Sequence, residues 1–166
     1  MIIIKKYMKL KNYIKDVPNF PKDGIIYRDI QPLLANHNAF AYSISEMYSL
    51  HSQKPDHYVG IDARGFIFAA ALAKTYGKGL KLVRKAGKLP PPVISSRYDL
   101  EYGSDVLEVQ EGIGNVTIVD DVFATGGTMD ATEVLLIKAG YKVINKICLI
   151  DIGIVKNHNT RCLISY

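Results

Sequence analysis

A run of ten residues, VDDVFATGGT at positions 119–128, combines residue types that suit the binding of a phosphorylated sugar. Its small residues would open a helix, where free backbone N–H groups and the helix dipole attract an anion. The two acids before them would repel a bare polyphosphate, so we interpret them as acceptors for sugar hydroxyls. A phosphate beside a vicinal diol describes a ribose 5-phosphate. The residues concerned are Asp120, Asp121, Ala124, Thr125, Gly126, Gly127 and Thr128.

Competing ligand motifs are not supported by the sequence. There is no GxxxxGK[ST] phosphate loop, and Gly112-Ile113-Gly114 precedes a strand and lacks the third glycine of a dinucleotide fingerprint. Cys148 and Cys162 form no CxxC pair and have no clustered histidines near them in the sequence, which argues against a zinc site or a disulfide framework.

Two strand–turn–helix–strand units must position these residues. The first is predicted as a strand at 58–61, a turn at 62–65, an Ala-rich helix at 66–76 and a strand from 80 to 83. The second is predicted as a strand at 116–119, a turn at 120–127, a helix at 128–139 and a strand at 143–152. Two such units imply an α/β fold with a mainly parallel sheet flanked by helices. In such sheets, ligands bind beyond the carboxyl ends of the strands, where both turns lie.

The segments outside these units are predicted from periodicity and turn residues. Apolar residues at helical spacing indicate a basic amphipathic helix over 3–17, followed by an irregular stretch to Pro32. A second helix carries Phe40, Ile44, Met47 and Leu50, with Asn36 or Asn38 as its N-cap. Residues 84–110 are predicted to form a lid, which is a long loop followed by a hairpin that turns at 103–105.

Composition limits the class of protein. The chain has 166 residues, 48% of them hydrophobic and 22% charged, which predicts one globular domain over residues 1–166. Its net charge of +5 favours anionic partners. No apolar run approaches the ~20 residues of a membrane span, and Lys5 and Lys6 interrupt the apolar start. We therefore expect a cytoplasmic protein with no membrane partner.

Five blocks of the sequence resemble the adenine phosphoribosyltransferases, a family of type I phosphoribosyltransferases, and they occur in that family's order. The run at 119–128 is similar to the 5-phosphoribosyl 1-pyrophosphate (PRPP) signature of all type I enzymes. The other four blocks resemble the adenine enzymes in particular. They are FPKDGIIYRDI at 20–30, ARGF at 63–66, RKAGKLP at 84–90 and YDLEYG at 98–103. Together the resemblance covers roughly residues 10–150.

The resemblance implies a type I phosphoribosyltransferase fold with a hood or lid hairpin. It also implies the synthesis of AMP and pyrophosphate from adenine and PRPP, with Mg²⁺. The loop at 124–128 would hold the 5-phosphate, and Asp120 and Asp121 would hold the ribose hydroxyls. The loop at 62–65, where the family has a non-proline cis peptide, would bind the pyrophosphate. The PRPP contacts implied outside the phosphate loop are Ala63, Arg64, Gly65, Arg84, Lys85 and Lys88.

The resemblance also implies the catalytic groups and the base contacts. Glu101 would hydrogen-bond N7 of adenine while N9 reacts, and Arg64 would be the catalytic cation at the pyrophosphate. Ile26, Arg28 and Val122 would contact adenine, although Arg28 could equally be structural and paired with Asp29 or Asp23. Mg²⁺ would be held mainly by substrate oxygens, with no direct protein ligand. A homodimer is also implied.

Two alternatives to this interpretation remain. One is a phosphoribosyltransferase for hypoxanthine, guanine or xanthine, because no residue by itself proves the preference for adenine. The other is a PRPP-sensing regulator that binds nucleic acid through the basic N-terminal segment. No separate helix-turn-helix pattern supports the regulator, and we expect no nucleic-acid partner. The link from 109 to 116 is shorter than is usual in the family, and the chain stops at Tyr166 where relatives often continue.

Overall fold

The computed structural model of the chain describes residues 8–100 and 103–166. The chain divides into two compact units, Met1–Glu46 and Met47–Tyr166. None of the helices in the described part of the chain has the length and apolar character needed to span a membrane.

The first unit begins with a short 3₁₀ helix, Leu10–Tyr13, followed by a two-stranded antiparallel ribbon. Its strands are β1 (Lys15–Pro18) and β2 (Ile26–Asp29). Helix α1 (Gln31–Ala35) and most of helix α2 (His37–Ser49) complete it. Asn36 Oδ1 accepts a hydrogen bond of 3.0 Å from the backbone N–H of Ala39, so the predicted N-cap of the second helix is confirmed.

The predicted helix over 3–17 is wrong in the part that the structure describes. Residues 15–18 pair with residues 26–29 instead, and Arg28 forms an ion pair with Asp16 across the ribbon. Pro18 cannot continue a helix, and the antiparallel partner supplies backbone hydrogen bonds that periodicity alone does not reveal. The stretch predicted as irregular therefore contains the last residue of β1, all of β2 and the first two residues of α1.

The second unit is a seven-stranded sheet with two flanking helices. Its elements are β3 (His57–Ile61), α3 (Gly65–Tyr76), β4 (Gly79–Lys85), β5 (Ile94–Leu100), β6 (Gly103–Val109), β7 (Asn115–Phe123), α4 (Gly127–Lys138), β8 (Lys142–Asp151) and β9 (Arg161–Ser165). The strand order is β5-β6-β4-β3-β7-β8-β9. Strands β4, β3, β7, β8 and β9 are parallel, and the β5–β6 hairpin joins β4 in antiparallel fashion. The prediction of a mainly parallel sheet is confirmed.

Apolar burial fixes the two strand–helix units in the places that the sequence predicts. Helix α3 buries Phe68, Ala69 and Leu72, and it ends at Gly77, whose φ of +64° is the left-handed cap that glycine favours. Helix α4 packs into the core through Met129, Leu135 and Leu136.

Strands β6, β7 and β9 differ most from the predictions. Strand β7 continues through Asp120 and Asp121 to Phe123, so the acids lie on the strand rather than in the turn. Strand β6 begins at Gly103, so residues 103–105, which were predicted to form the hairpin turn, lie on a strand. Strand β9 was not predicted, because a five-residue segment carries little periodicity and is held by pairing with β8.

We expect Leu135→Ala to lower the free energy of unfolding by about 2–5 kcal/mol, because it opens a cavity at a side chain that has no solvent exposure. Val134 is the next residue of the same helix and is 49% exposed, so Val134→Ala is the matched control, with a change of less than about 0.5 kcal/mol. Urea unfolding of both variants measures the difference. Equal losses would contradict the burial assigned to α4.

Candidate active site

The turns that follow β3 and β7 lie at the same edge of the sheet. The two strands pair directly, with Gly60 opposite Val119, so their carboxyl ends bring residues 62–65 beside residues 120–128. Gly65 makes this approach possible, because a Cβ atom there would stand 2.6 Å from the Val119 carbonyl oxygen and 3.0 Å from Asp120 Oδ1. Any other residue at position 65 would push the two turns apart.

The turn after β3 contacts the two acids near the end of β7. Arg64 Nε lies 2.7 Å from Asp121 Oδ2, whose side chain is 6% exposed. Asp120 Oδ1 accepts a 2.9 Å hydrogen bond from the backbone N–H of Asp121. The pKa of Asp121 is raised by burial, although the Arg64 charge opposes the rise. Burial and the neighbouring Asp121 charge raise the pKa of Asp120 well above its ordinary value.

The loop after these acids has the features of an anion site. Gly126 adopts a φ of +89° and is the N-cap of α4, and no side chain in this described segment caps the helix. The first backbone N–H groups of α4 are therefore available to a ligand. A cavity of about 80 Å³ opens here, lined by Asp120 and residues 122–129. Six of the seven residues predicted for the phosphate and ribose site line this cavity, whereas Asp121 does not and is buried against Arg64.

A second group of cations lies near the turn after β3. The Asp62–Ala63 peptide is cis, as the resemblance implies. Arg84 Nε donates to Asp62 Oδ2 at 3.1 Å, and its guanidinium lies over the ring of Phe66. Lys85 bonds to Asp105 on β6 at 2.8 Å, and this bond raises the pKa of Lys85. Arg84 is therefore tied to the turn, Lys85 to the hairpin, and Lys88 is exposed.

The remaining predicted residues fall into three places. Val122 lines the 80 Å³ cavity. Ile26 and Arg28 belong to the first unit, where Ile26 is exposed and Arg28 Nη1 lies 2.5 Å from Asp16 Oδ1, an acid that the structural alternative did not name. Glu101 lies outside the described residues.

Two features near this edge of the sheet were not predicted from the sequence, namely the contact between the Phe123 and His158 rings and the ion pairs of Lys146. The Phe123 ring packs under Gly126, within 3.2 Å of where a Cβ atom would stand, and it contacts the ring of His158. Lys146 reaches from β8 to the acids of α4. A lysine within the mostly apolar segment 143–152 was the sequence signal available for it.

The chain is similar to known proteins over most of its length. Residues 26–161 match a family model described as phosphoribosyl transferase domain. The chain is 48% identical over 146 residues to the adenine phosphoribosyltransferase of Bdellovibrio bacteriovorus, covering 87% of this chain and 88% of the relative. The crystal structure of the adenine phosphoribosyltransferase from Thermoanaerobacter pseudethanolicus is similar, with a TM-score of 0.87, 39% identity, and coverage of 95% of this chain and 98% of that one.

A third similar protein carries ligands. It is the adenine phosphoribosyltransferase of Saccharomyces cerevisiae, complexed with D-2,5-dideoxy-2,5-imino-altritol 1,6-bisphosphate and adenine. Its TM-score is 0.83 at 34% identity, covering 93% of this chain and 94% of that one. The likeness therefore extends over most of this chain and most of each relative.

We expect Asp120→Asn to stabilise the fold at neutral pH. The raised pKa of Asp120 means that the folded chain binds this proton more tightly than the unfolded chain does. The protonated Asp120 side chain therefore makes its whole contribution to the free energy of unfolding below the ordinary carboxyl pKa of about 4. That contribution is lost as the pH rises through the raised pKa of the folded state. The gain in unfolding free energy should accordingly be largest near about pH 8 and shrink toward about pH 4.

Urea unfolding across this pH range tests the expectation. Asp23→Asn, at an exposed position of the first unit, is the control and should show no such trend. A gain for Asp120→Asn that does not vary with pH would contradict the environment assigned to Asp120.

Proposed function

The chain belongs to the adenine phosphoribosyltransferase family, and from this membership we propose that it makes AMP and pyrophosphate from adenine and PRPP. The family model and the curated relatives support the assignment. The reaction is a purine-salvage transfer of a pentosyl group. The observation in the site that carries the proposal is the pair of acids beside an uncapped helix N-terminus, because this arrangement suits a ribose 5-phosphate.

We propose that PRPP binds along the edge formed by the two turns. Backbone N–H groups and hydroxyls of the 124–128 loop would hold the 5-phosphate, and Asp120 and Asp121 would accept the ribose hydroxyls. The pyrophosphate would lie over residues 63–65, where Arg64 offers a charged planar fork. Arg84, Lys85 and Lys88 would add positive charge. The Arg84–Asp62 and Lys85–Asp105 contacts support this role, since each keeps a cation near the turn or the hairpin.

In the proposed reaction, N9 of adenine bonds to C1 of the ribose as the bond from C1 to pyrophosphate breaks. Positive charge develops on the sugar and negative charge on the leaving group, which the cations at the pyrophosphate would stabilise. The Glu101 carboxylate would accept a hydrogen bond from N7–H of adenine and take up that proton as N9 bonds to C1, which increases the nucleophilicity of N9. Closure of the hairpin over the site would exclude water that could otherwise capture the sugar.

The contacts to adenine are part of the proposal by resemblance. Ile26 would pack on a face of the purine, Val122 would border it from the end of β7, and Arg28 would support the segment that covers it. The proposal treats residues 1–166 as one phosphoribosyltransferase domain.

Mg²⁺ and the assembly are likewise proposed. Among the residues that the structure describes, no group of three His, Cys, Asp or Glu side chains could hold a metal ion. An ion at this site would therefore take most of its ligands from substrate oxygens and water, as Mg²⁺ often does. When bound, it would neutralise charge on the pyrophosphate. A homodimer and a cytoplasmic location stay predictions.

The experiment that tests the function is AMP formation from PRPP and Mg²⁺, with adenine, hypoxanthine, guanine and xanthine offered in parallel. We expect turnover with adenine alone. Turnover only with an oxo-purine would keep the PRPP site and overturn the base assignment. Binding of PRPP without turnover on any base would favour the regulator.

We expect Glu101→Ala to lower kcat for AMP formation by about 10²–10⁴-fold, the usual contribution of a well-placed acid–base group. Glu111→Ala is the matched control, because Glu111 is an exposed carboxylate after the hairpin. Circular dichroism checks that both variants fold. Wild-type kcat in folded Glu101→Ala would overturn the role proposed for this residue.

A further inference from the structure

Lys146 is a buried cation in the mostly apolar strand β8. Its side chain is 6% exposed, and the next four residues, 147–150, are buried and apolar. A buried ammonium is costly unless it is paired. Lys146 Nζ lies 3.0 Å from Asp130 Oδ1 and 2.7 Å from Glu133 Oε2, so two acids of α4 meet one cation of β8. Burial alone would lower the pKa of Lys146, but the two carboxylates raise it, and the group stays charged.

The two ion pairs fix how α4 sits on the sheet. Asp130 and Glu133 are three residues apart and share one face of the helix. Because both bonds converge on a single strand residue, they limit rotation of α4 and sliding along its axis. The helix begins directly after the phosphate loop, and the backbone N–H of Asp130 bonds to the Gly126 carbonyl at 2.9 Å. Displacement of α4 would therefore displace the loop.

Lys146 also changes the charge beside the loop. Asp130 Oδ2 lies 3.7 Å from where a Cβ atom on Gly126 would stand, so an acid adjoins the proposed 5-phosphate site. An open cavity of about 700 Å³ is lined by Thr125, Gly126 and all three charged residues. Without Lys146, Asp130 and Glu133 would present two uncompensated negative charges to that space.

We propose that Lys146 is a positioning residue for PRPP, which holds the first turns of α4 against β8 and offsets the acidic charge next to the 5-phosphate. This inference rests on the proposed function, because it takes the 124–128 loop as the phosphate site. It assigns to Lys146 an effect on PRPP binding and none on the chemical step.

The first test is steady-state kinetics of Lys146→Met, which keeps the length and removes the charge. The Michaelis constant for PRPP should rise roughly tenfold, the size expected for one charge several ångströms from an anion near a protein surface. The kcat value should stay within about threefold of the wild-type value. Lys142→Met is the matched control, since Lys142 is exposed at the other end of β8, and it should match the wild type. An unchanged Michaelis constant in Lys146→Met would overturn the inference.

Two further variants separate the effect of charge on PRPP binding from the effect of the position of α4. The triple variant Asp130→Asn, Glu133→Gln, Lys146→Met is neutral but lacks both ion pairs, so it should recover the part of the PRPP affinity that uncompensated charge removes and not the part that depends on the position of α4. Failure to recover any would overturn the charge effect. Asp130→Asn alone alters a side chain that is 69% exposed, and it keeps the Glu133–Lys146 ion pair that holds α4. It should therefore fold, and it should lower the Michaelis constant for PRPP because it removes the negative charge next to the loop. A constant equal to or above the wild-type value would count against the inference, even if Lys146→Met does not fold.

Failure of the inference and failure of the function are distinguishable in these assays. Wild-type AMP formation with adenine establishes the reaction independently of Lys146. If the wild type turns over and the variants behave as the wild type does, only the role of Lys146 is lost. If the wild type makes no AMP, the proposed function itself fails, and the inference that rests on it fails too.

Discussion

The close approach of the turn after β3 to the end of β7 is the constraint on which the site depends. Direct pairing of these two parallel strands places the turns side by side, and glycine at position 65 leaves the space that a Cβ atom would take from Val119 and Asp120. Arg64 then reaches Asp121 at 2.7 Å. The cation from one turn thereby holds an acid from the other, so the acids proposed to bind the sugar and the residues proposed to bind the pyrophosphate lie side by side.

This arrangement carries an energetic cost that the rest of the fold must offset. Two adjacent carboxylates, of which Asp121 is buried, have raised pKa values because burial disfavours their charged forms. Arg64 opposes that effect at Asp121. The same pattern recurs behind the phosphate loop, where Lys146 compensates two acids of α4. The apolar core formed by the sheet and α4 supplies stability that offsets this cost.

The sequence predicts the two central strand–helix units because their strands are apolar and their helices end at glycine. It also predicts the glycine-rich turn at 124–128 that opens α4, because the local composition is enough to define that turn. It does not predict β1, β2 and β9, because these short strands are held by pairing partners distant in sequence rather than by their own periodicity. The partners of Arg28, Arg84 and Lys146 could not be predicted either, since ion pairs depend on which elements the fold brings together. The apolar spacing over 3–17 predicted a helix wrongly because residues 15–18 are held in a strand by their pairing with residues 26–29.

Affinity for three small sugars tests most directly the idea that one edge of the sheet holds both a phosphate and a ribose diol. Calorimetry would compare ribose 5-phosphate, 2-deoxyribose 5-phosphate and ribose on the wild-type chain. Ribose should not bind measurably, and the deoxy sugar should bind about tenfold or more weakly than ribose 5-phosphate, because a hydrogen bond to a carboxylate is worth about 1.5–3 kcal/mol. Equal affinity for the two phosphorylated sugars would contradict the role of Asp120 and Asp121, and ribose binding as tightly as its phosphate would contradict the role of the loop.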